Sequence, residues 1–328
     1  MTLDITQLHQ EQDQIYSTVN IPFSYKTGRS IVTSCYRQEI TGTYILISEL
    51  KRLGFAIPIE IFYREGEIVD DEIIELTKLY PEHVTFKKLK KQFTNYQDKW
   101  GNQKGWATKV YAILESEYNE NFWIDSDNYP IRNCLDLFND PEYLSKGSLF
   151  WRDVYSVDRA DQYWSGADMW KVFNVSPNDG EPFESGQFLI DKTKCWKQLY
   201  MMNYYTENQS LYYQFGGDAE CWRMAWQYVA IKENKYHARH NYHASVEVPY
   251  GFMPYGPFHK GKENPWHKYG GGTVMVQRDR AGKELFNHRN INKFNINKTN
   301  DFNDDIENEI TYHMIVKHMQ VKYRVQNG

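Results

Sequence analysis

The chain has 328 residues, of which 41% are hydrophobic, and a formal net charge of −5 at pH 7. This length allows one large domain or two ordinary ones, and the hydrophobic content is enough for a packed core. The small acidic excess provides no basic surface for a polyanion, so the composition argues against a nucleic-acid partner.

The first part of the chain alternates between strand and helix patterns. Residues 1–27 are polar and predict at most one helix. Runs of β-branched and aromatic residues then predict strands, and apolar residues at helical spacing predict the helices between them. The predicted strands are residues 30–36, 56–65, 84–89 and 121–125, and the predicted helices are residues 41–53, 70–82 and 105–120. This order predicts an α/β, Rossmann-like fold with a mostly parallel central sheet flanked by helices.

The second half is less regular. Further strands are predicted at 148–156 and Phe188–Ile190, further helices within 191–205 and 215–230, and a hairpin within 272–290. Residues 287–308 are polar and Asn-rich, which indicates a loop or linker. In the last segment Met319, Val321, Tyr323 and Val325 alternate with other residues, which predicts a final strand.

Two carboxylates follow the strand predicted at residues 121–125. Asp125 and Asp127 stand in the sequence "IDSDNYP". Ligands of open α/β sheets bind beyond the carboxyl ends of the strands, and the i, i+2 spacing directs both side chains to one side of an extended segment. Such a pair suits Mn²⁺ or Mg²⁺ and leaves coordination positions for phosphate oxygens. A solvated turn, or caps for a following helix, is the alternative.

Cysteine usage and hydropathy suggest the compartment. The four cysteines are widely spaced and form no CxxC pair, which predicts neither a zinc site nor a disulfide framework. Neither a signal peptide nor a run of about 18 apolar residues is visible. We therefore expect a cytoplasmic or otherwise soluble protein without a transmembrane segment, with a fragment from the Golgi lumen as the alternative.

Several stretches in a fixed order resemble a known family. "LKRLGFAIPIEIFY", "TKVYAILESEYNENFWIDSDNYPI", "GSLFWRD", "ESGQFLIDKTKCWKQL", "GGDAECW" and "GKELFNHRN" follow one another between residues 28 and 290. Together they resemble the fungal α-1,3-mannosyltransferase family, glycosyltransferase family 71, which is built on a GT-A nucleotide-sugar domain. The resemblance implies a GT-A domain at residues 28–290, after a polar lead-in at 1–27 and before a C-terminal extension at 291–328.

The resemblance also implies a metal site and contacts to donor phosphate. Asp125 and Asp127 would hold the ion, and His288 in "LFNHRN" stands where the family has a third ligand; a surface histidine in a hairpin is the alternative. Lys109 would pair with donor phosphate, or else is a solvated helix lysine.

Other residues are candidates for nucleotide and sugar contacts. Arg29, Thr33, Ser34 and Glu60 lie near strand ends where the resemblance implies a nucleoside; for Glu60 an exposed charge at a strand end is the alternative. In "ESGQ", Gly186 would let the backbone approach the sugar, and Glu184, Ser185 and Gln187 offer polar contacts, or else the segment is a turn before a strand.

Three acidic residues are candidates for catalysis. Asp153 in "FWRD" would contact sugar hydroxyl groups, or else forms a loop salt bridge. Asp218 and Glu220 in "GGDAE" would lie near the anomeric carbon and the acceptor, or else complement the dipole of a helix N-terminus.

The predicted function is therefore metal-dependent glycosyl transfer with retention. The donor implied by the resemblance is GDP-mannose, the cofactor Mn²⁺ or Mg²⁺, and the acceptor an oligosaccharide or glycoprotein. The sequence leaves open a UDP-sugar donor, a non-catalytic carbohydrate-binding relative and, less favoured, a phosphatase using the two aspartates. It also leaves open the acceptor, the linkage position and whether the chain forms a homo-oligomer.

Overall fold

The computed structural model describes residues 4–18, 24–36, 39–93, 96–97, 103–152, 169–175, 183–208, 211, 218–233, 244–246, 251–253 and 274–288. Within these ranges helices and strands alternate along the first half of the chain. The helices are α1 (Ile5–Thr18), α2 (Ile40–Arg52), α3 (Asp70–Thr77), α4 (Ala107–Glu115), α5 (Pro141–Lys146), α6 (Met169–Val172), α7 (Trp196–Glu207) and α8 (Ala219–Lys232).

The strands belong to one large sheet and two small ones. Those of the large sheet are β1 (Lys26–Ser34), β2 (Ile59–Tyr63), β3 (Val84–Lys88), β6 (Tyr118–Ile124), β8 (Ser148–Arg152), β9 (Phe183–Asp191) and β10 (Ala244–Val246). The others are β4 (Tyr96–Gln97), β5 (Gln103–Lys104), β7 (Asn128–Pro130), β11 (Gly251–Met253), β12 (Val274–Arg278) and β13 (Glu284–His288).

The large sheet is mainly parallel. Its strand order is β10-β8-β9-β6-β1-β2-β3. The pairs β1–β2, β1–β6, β2–β3 and β8–β10 are parallel, whereas β9 runs antiparallel to both β6 and β8. This architecture confirms the α/β fold with a mainly parallel central sheet that the sequence predicts. The predicted domain boundaries near residues 28 and 290 stay predictions.

A small antiparallel sheet brings the hairpin next to the end of β6. Its order is β11-β12-β13-β7, and β7 begins four residues after β6 ends. The pairing sets His288 opposite Asn128 and Asn287 opposite Tyr129. The turn between β12 and β13 includes Gly282, as the sequence predicts. This pairing carries a residue from the far end of the described chain to the carboxyl edge of the large sheet.

The core has two layers, one on each face of the large sheet. Neighbouring strand residues point to opposite faces, so Ile31 and Phe122 enter one layer while Val32 and Trp123 enter the other. Burying large side chains of this kind stabilises the fold by about 1.5–3 kcal/mol each. Among the described residues, every helix is too short or too polar to cross a lipid bilayer.

Several predicted boundaries shift by a few residues, and tertiary pairing explains two of the larger shifts. The helix predicted at residues 105–120 ends at Glu115, because Ser116 is extended and residues from Tyr118 onward pair with β1. The strand predicted at Phe188–Ile190 is longer and runs from Phe183 to Asp191, since it pairs with β6 and β8 on its two sides. The strand predicted around residues 319–325 and most of the linker predicted at 287–308 lie outside the described residues.

Candidate functional site

Asp125, Asp127 and His288 come together at the carboxyl edge of the large sheet. Each offers one ligand atom, and these atoms all lie within 4.8 Å of one another. Nε2 of His288 is 3.3 Å from Oδ1 of Asp127, and both side chains are buried. Carboxylate oxygens and an imidazole nitrogen are a donor set that binds Mn²⁺ and related divalent ions. The residues present therefore fit the metal that the sequence predicts.

The loop that carries the two aspartates is held by backbone hydrogen bonds. The amide of Asp125 donates to the carbonyl oxygen of Gly186 at 2.8 Å, and the amide of Asn128 donates to that of Asp125 at 2.9 Å. Helix α2 packs directly on this loop, because a Cβ added at Gly42 would lie 2.5 Å from the carbonyl oxygen of Ser126. The loop is thus fixed from the strand side and from the helix side.

Lys109 is a buried cation between two carboxylates. Its Nζ lies 3.2 Å from Oδ1 of Asp125 and 3.0 Å from Oδ2 of Asp218, and it donates to the carbonyl oxygen of Ser185 at 2.6 Å. Burial by itself would lower the pKa of Lys109, but the charges of Asp125 and Asp218 raise it. An ammonium group has three N–H donors, and these partners occupy them. Lys109 is therefore not a solvated helix lysine, and its pairing with donor phosphate stays a prediction.

Asp218 is positioned by side chains from three elements. Oδ1 accepts a hydrogen bond from the Ser185 hydroxyl at 3.1 Å, and Oδ2 accepts one from Nε1 of Trp222 at 3.1 Å, in addition to the Lys109 contact. Its side chain makes no capping hydrogen bond to α8, although Asp218 precedes that helix. The carboxylate is thus part of the polar cluster rather than a helix cap. Glu220 follows Asp218 by two residues and is half-buried in the first turn of α8.

A bulge in β9 builds the floor of the site. The register pairs Phe188 with Phe150 but Glu184 with Trp151, so residues 185–187 bulge out of the pairing with β8. The bulge presents the carbonyl oxygen of Gly186 to Asp125 and to the Asn128 side chain, and the same Asn128 amide donates to Gln187. β-Bulges often re-aim backbone groups next to active sites in this way.

His288 fills the space that Gly186 leaves empty. A Cβ added at Gly186 would lie 2.5 Å from Cε1 and 2.6 Å from Nδ1 of His288. The imidazole ring of His288 therefore makes the close contact at this glycine. The approach of the backbone to the sugar, which the sequence predicts at Gly186, stays a prediction.

Glu184 lies behind His288, on the side away from the aspartates. Its Oε1 is 3.1 Å from Nδ1 of His288 and accepts a hydrogen bond from the Gly186 amide at 2.7 Å. Burial would raise the pKa of Glu184, but the nearby His288 charge lowers it. Burial would likewise lower the pKa of His288, but Glu184 and Asp127 raise it well above its usual value. For Asp125, burial prevails over the Lys109 charge and raises the pKa.

Glu60 lies inside the sheet, where the register sets it level with Val32 of β1 and, through Val32, with Trp123 of β6. It is the second residue of β2, and its carboxylate accepts hydrogen bonds from Ser30 and Ser116, from the Glu117 amide at 3.1 Å and from Lys87 at 2.6 Å. These contacts bury Glu60 within the sheet, so it is not an exposed charge at a strand end. Its contact with a nucleoside stays a prediction.

Arg29 lies away from the aspartates, because it pairs with Glu120, five residues before Asp125. It lies in the first half of β1, where its guanidinium contacts Asn139 at 3.1 Å and Glu120 at 3.5 Å. Thr33 and Ser34 do end β1 at the carboxyl edge, and the pairing of Val32 with Trp123 puts Ser34 level with Asp125. Asp153 lies outside the described residues, and its contact with sugar hydroxyl groups stays a prediction.

Two tryptophans complete the site and were missed in the sequence. Nε1 of Trp123 donates to Oδ1 of Asp125 at 2.6 Å, as Nε1 of Trp222 does to Asp218. A buried indole N–H needs an acceptor. Trp123 precedes Asp125 by two residues on a strand and Trp222 follows Asp218 by four, spacings that put each pair on one side of its element. This spacing is a signal that could have identified both pairs.

Comparison with known proteins gives relatives that are named mannosyltransferases. Residues 28–181 match a family model described as "Mannosyltransferase putative". The α-1,2-mannosyltransferase MNN2 of Saccharomyces cerevisiae is 21% identical over 323 residues, covering 81% of this chain and 53% of the yeast protein. The α-1,2-mannosyltransferase MNN21 of Candida albicans is 27% identical over 135 residues, covering 39% of this chain and 20% of that protein.

The chain thus spans about half of the yeast relative's length and a fifth of the Candida relative's. The relatives' names give an α-1,2 linkage, which differs from the α-1,3 linkage that the sequence resemblance implies.

Solved glycosyltransferase structures share the fold. The galactosyltransferase LgtC, solved with donor and acceptor sugar analogs, superposes with a TM-score of 0.51 at 10% identity, covering 88% of this chain and 95% of that one. The apo form of the glycosyltransferase GlyE from Streptococcus pneumoniae TIGR4 gives 0.50 at 14% identity, covering 91% and 64%. At these identities the likeness concerns the fold alone, and it agrees with the GT-A type that the sequence predicts.

Proposed function

We propose that this protein is a metal-dependent glycosyltransferase that moves mannose from GDP-mannose to a glycan acceptor with retention, forming an α-linkage. The observation that carries the proposal is the cluster of Asp125, Asp127 and His288 at the carboxyl edge of the sheet. The fold shared with glycosyltransferases and the relatives named mannosyltransferases support the reaction class and the sugar. The same relatives favour an α-1,2 linkage over α-1,3.

Asp125, Asp127 and His288 would hold the divalent ion. A bound divalent ion acts as a Lewis acid that stabilises the negative charge developing on a diphosphate leaving group. The chain contributes a pre-formed donor set, since the loop bonds to Gly186 and the packing of α2 already fix the aspartates. Side chains held in this way need little reorganisation during the reaction.

Asp218 supplies a fixed negative charge to the same region. Three donors hold its carboxylate, namely Ser185, Trp222 and Lys109. A carboxylate held by three donors is better suited to stabilise positive charge at an anomeric carbon than to act as a mobile base. This supports retention, in which the leaving phosphate takes the acceptor proton on the same face of the sugar.

The test is a transfer assay with a choice of donors. The purified protein is incubated with GDP-mannose, UDP-galactose or UDP-glucose and a mannose oligosaccharide, with Mn²⁺ or with EDTA. We expect Mn²⁺-dependent transfer from GDP-mannose and a product that α-mannosidase digests. Transfer from a UDP-sugar alone would identify a different donor, and a β-linked product would contradict retention. Binding of oligosaccharide with no turnover of any donor would instead identify a carbohydrate-binding protein.

A further inference from the structure

Glu184 contacts only one side of the His288 ring. Its Oε1 lies 3.1 Å from Nδ1, while Nε2 faces Asp127 at 3.3 Å. The two ring nitrogens therefore face different partners, one towards the aspartates and one towards Glu184. Within the described part of the chain, the residues whose ligand atoms converge are Asp125, Asp127 and His288. Glu184 lies outside this group.

The backbone fixes Glu184 in this position. The Gly186 amide donates to the same Oε1 at 2.7 Å, so one carboxylate oxygen faces both the bulge and the imidazole. Glu184 and His288 are also both buried. Because Gly186 has no side chain, the imidazole ring can lie directly against the bulge.

We propose that Glu184 is a positioning residue that holds the proton of His288 on Nδ1 and so leaves the Nε2 lone pair free for the metal. The proposal rests on the proposed function, because it assumes that His288 is a metal ligand. A metal-bound imidazole normally donates its other N–H to a carboxylate or carbonyl, and this partner sets the tautomer and the ring orientation. Here the carboxylate is Glu184, and the glycine of the bulge provides the space for the ring.

The first experiment measures Mn²⁺ binding directly, from the electron paramagnetic resonance signal of free Mn²⁺ during titration. We expect Glu184→Ala to weaken Mn²⁺ binding by about 10- to 100-fold, the usual effect of losing such a partner. Glu184→Gln should lose less affinity, because its amide oxygen can still accept a hydrogen bond from Nδ1–H. Gly186→Ala should weaken binding although it removes no ligand, since its Cβ would displace the ring.

A matched control is available in α2. Glu49 is also a buried carboxylate, paired with Arg52 through an ion contact at 2.5 Å. Glu49→Ala and Glu49→Gln should change thermal stability but leave Mn²⁺ affinity within about twofold of the wild type. Circular dichroism of every variant identifies any that fail to fold, and Glu184→Gln keeps the test available if Glu184→Ala does not fold.

The second experiment reads the tautomer. Protein labelled with ¹⁵N-histidine and saturated with Mg²⁺ should give a His288 signal with a protonated Nδ1, and Glu184→Gln should keep it while Glu184→Ala loses it. If the wild type binds Mn²⁺ and Glu184→Ala binds it with unchanged affinity, the proposed role of Glu184 is overturned, while the metal site stands. Absence of any Mn²⁺ binding by the wild type would overturn the metal site and with it the proposed function.

Discussion

Lys109 contacts both Asp125 and Asp218, so the positions of both carboxylates depend on this residue. It is buried, and its ammonium contacts Asp125 and Asp218 at 3.2 and 3.0 Å. A cation of this kind neutralises two carboxylates that would otherwise repel each other at close range. The position of Asp125, and through it the geometry of the proposed metal site, therefore depends on a lysine sixteen residues earlier in the chain.

Replacing Lys109 should destabilise the fold strongly. Lys109→Met leaves the buried carboxylate of Asp218 and the half-buried one of Asp125 without their counter-ion. Removal of one partner of a buried ion pair typically costs about 3–5 kcal/mol. Urea unfolding of the variant measures the loss. Adding Asp218→Asn to Lys109→Met should recover part of it, because one unpaired charge disappears. If the double variant lost as much free energy of unfolding as the two single variants together, this coupling would be contradicted.

Asp127 gives the most direct test of the metal site. Asp127→Ala removes one of the three converging donors while leaving the loop bonds of Asp125 and Asn128 in place. We expect Mn²⁺-dependent binding of GDP to weaken by at least about 100-fold, or 2.7 kcal/mol, with the thermal unfolding transition retained. Isothermal titration with Mn²⁺ and with EDTA measures this. Glu142→Ala, at an exposed position of α5, is the control, and equal GDP affinity in both variants would argue against the site.

At the scale of elements, the large sheet contains a second polar cluster. Glu60 of β2 contacts Ser30 of β1 and Lys87 of β3, and Lys192 follows β9 nearby. Lys192 donates to the carbonyl oxygens of Ile113 and Ser116 at 3.0 and 2.7 Å. This cluster joins side chains of β1, β2 and β3, and Lys192 after β9 lies beside it, which gives the cluster a role in stability.

Lys192 should make stability depend on pH. Burial lowers its pKa from 10.5 to about 7 in the folded protein, although Glu60 opposes the shift. The unfolded chain then binds more protons between pH 7 and about 10.5, so this group adds stability as the pH rises through that window. Measured by urea unfolding relative to Lys192→Met, the free energy of unfolding of the wild type should rise by about 3–4 kcal/mol between pH 7 and pH 10. A constant difference would mean that the two carbonyls and the Tyr25 ring, 3.7 Å away, keep the ammonium charged.

At the scale of the whole molecule, the proposed site joins distant parts of the chain. Its side chains come from residue 109 in α4, from the loop after β6, from β9 at residue 184, from residue 218 before α8, and from β13 at residue 288. A ligand that bridges these segments binds the native state and not the unfolded chain. Binding should therefore stabilise the global fold rather than one element.

Mn²⁺ and GDP together should raise the melting temperature. At about 100 times its dissociation constant a ligand adds about 2.7 kcal/mol to the free energy of unfolding, which corresponds to a rise of several degrees. Differential scanning fluorimetry with GDP and with UDP, each with and without Mn²⁺, measures the effect. We expect the largest shift with Mn²⁺ and GDP and its loss in His288→Ala. A shift confined to UDP would contradict the proposed donor.

Local patterns in the sequence determined much of the fold. The alternation of strand and helix up to residue 125 predicts the parallel part of the sheet, because hydrophobic periodicity and chain order depend on neighbouring residues. The same order places Asp125 and Asp127 at a strand end. His288 entered the candidate set through the resemblance to a family, since nothing in its local sequence distinguishes it from a surface histidine in a hairpin.

Only the tertiary structure decided which side chains meet. Lys109 contacts Asp218 across 109 positions, and Glu184 contacts His288 across 104. These contacts depend on the register of β9, the bulge at Gly186 and the pairing of β13 with β7, none of which a local pattern specifies. For the same reason Glu60 is predicted from the sequence at a strand end, whereas parallel pairing sets it inside the sheet, level with Val32 and Thr85. Local periodicity fixes which elements form, but strand register and burial decide which charged groups share a site.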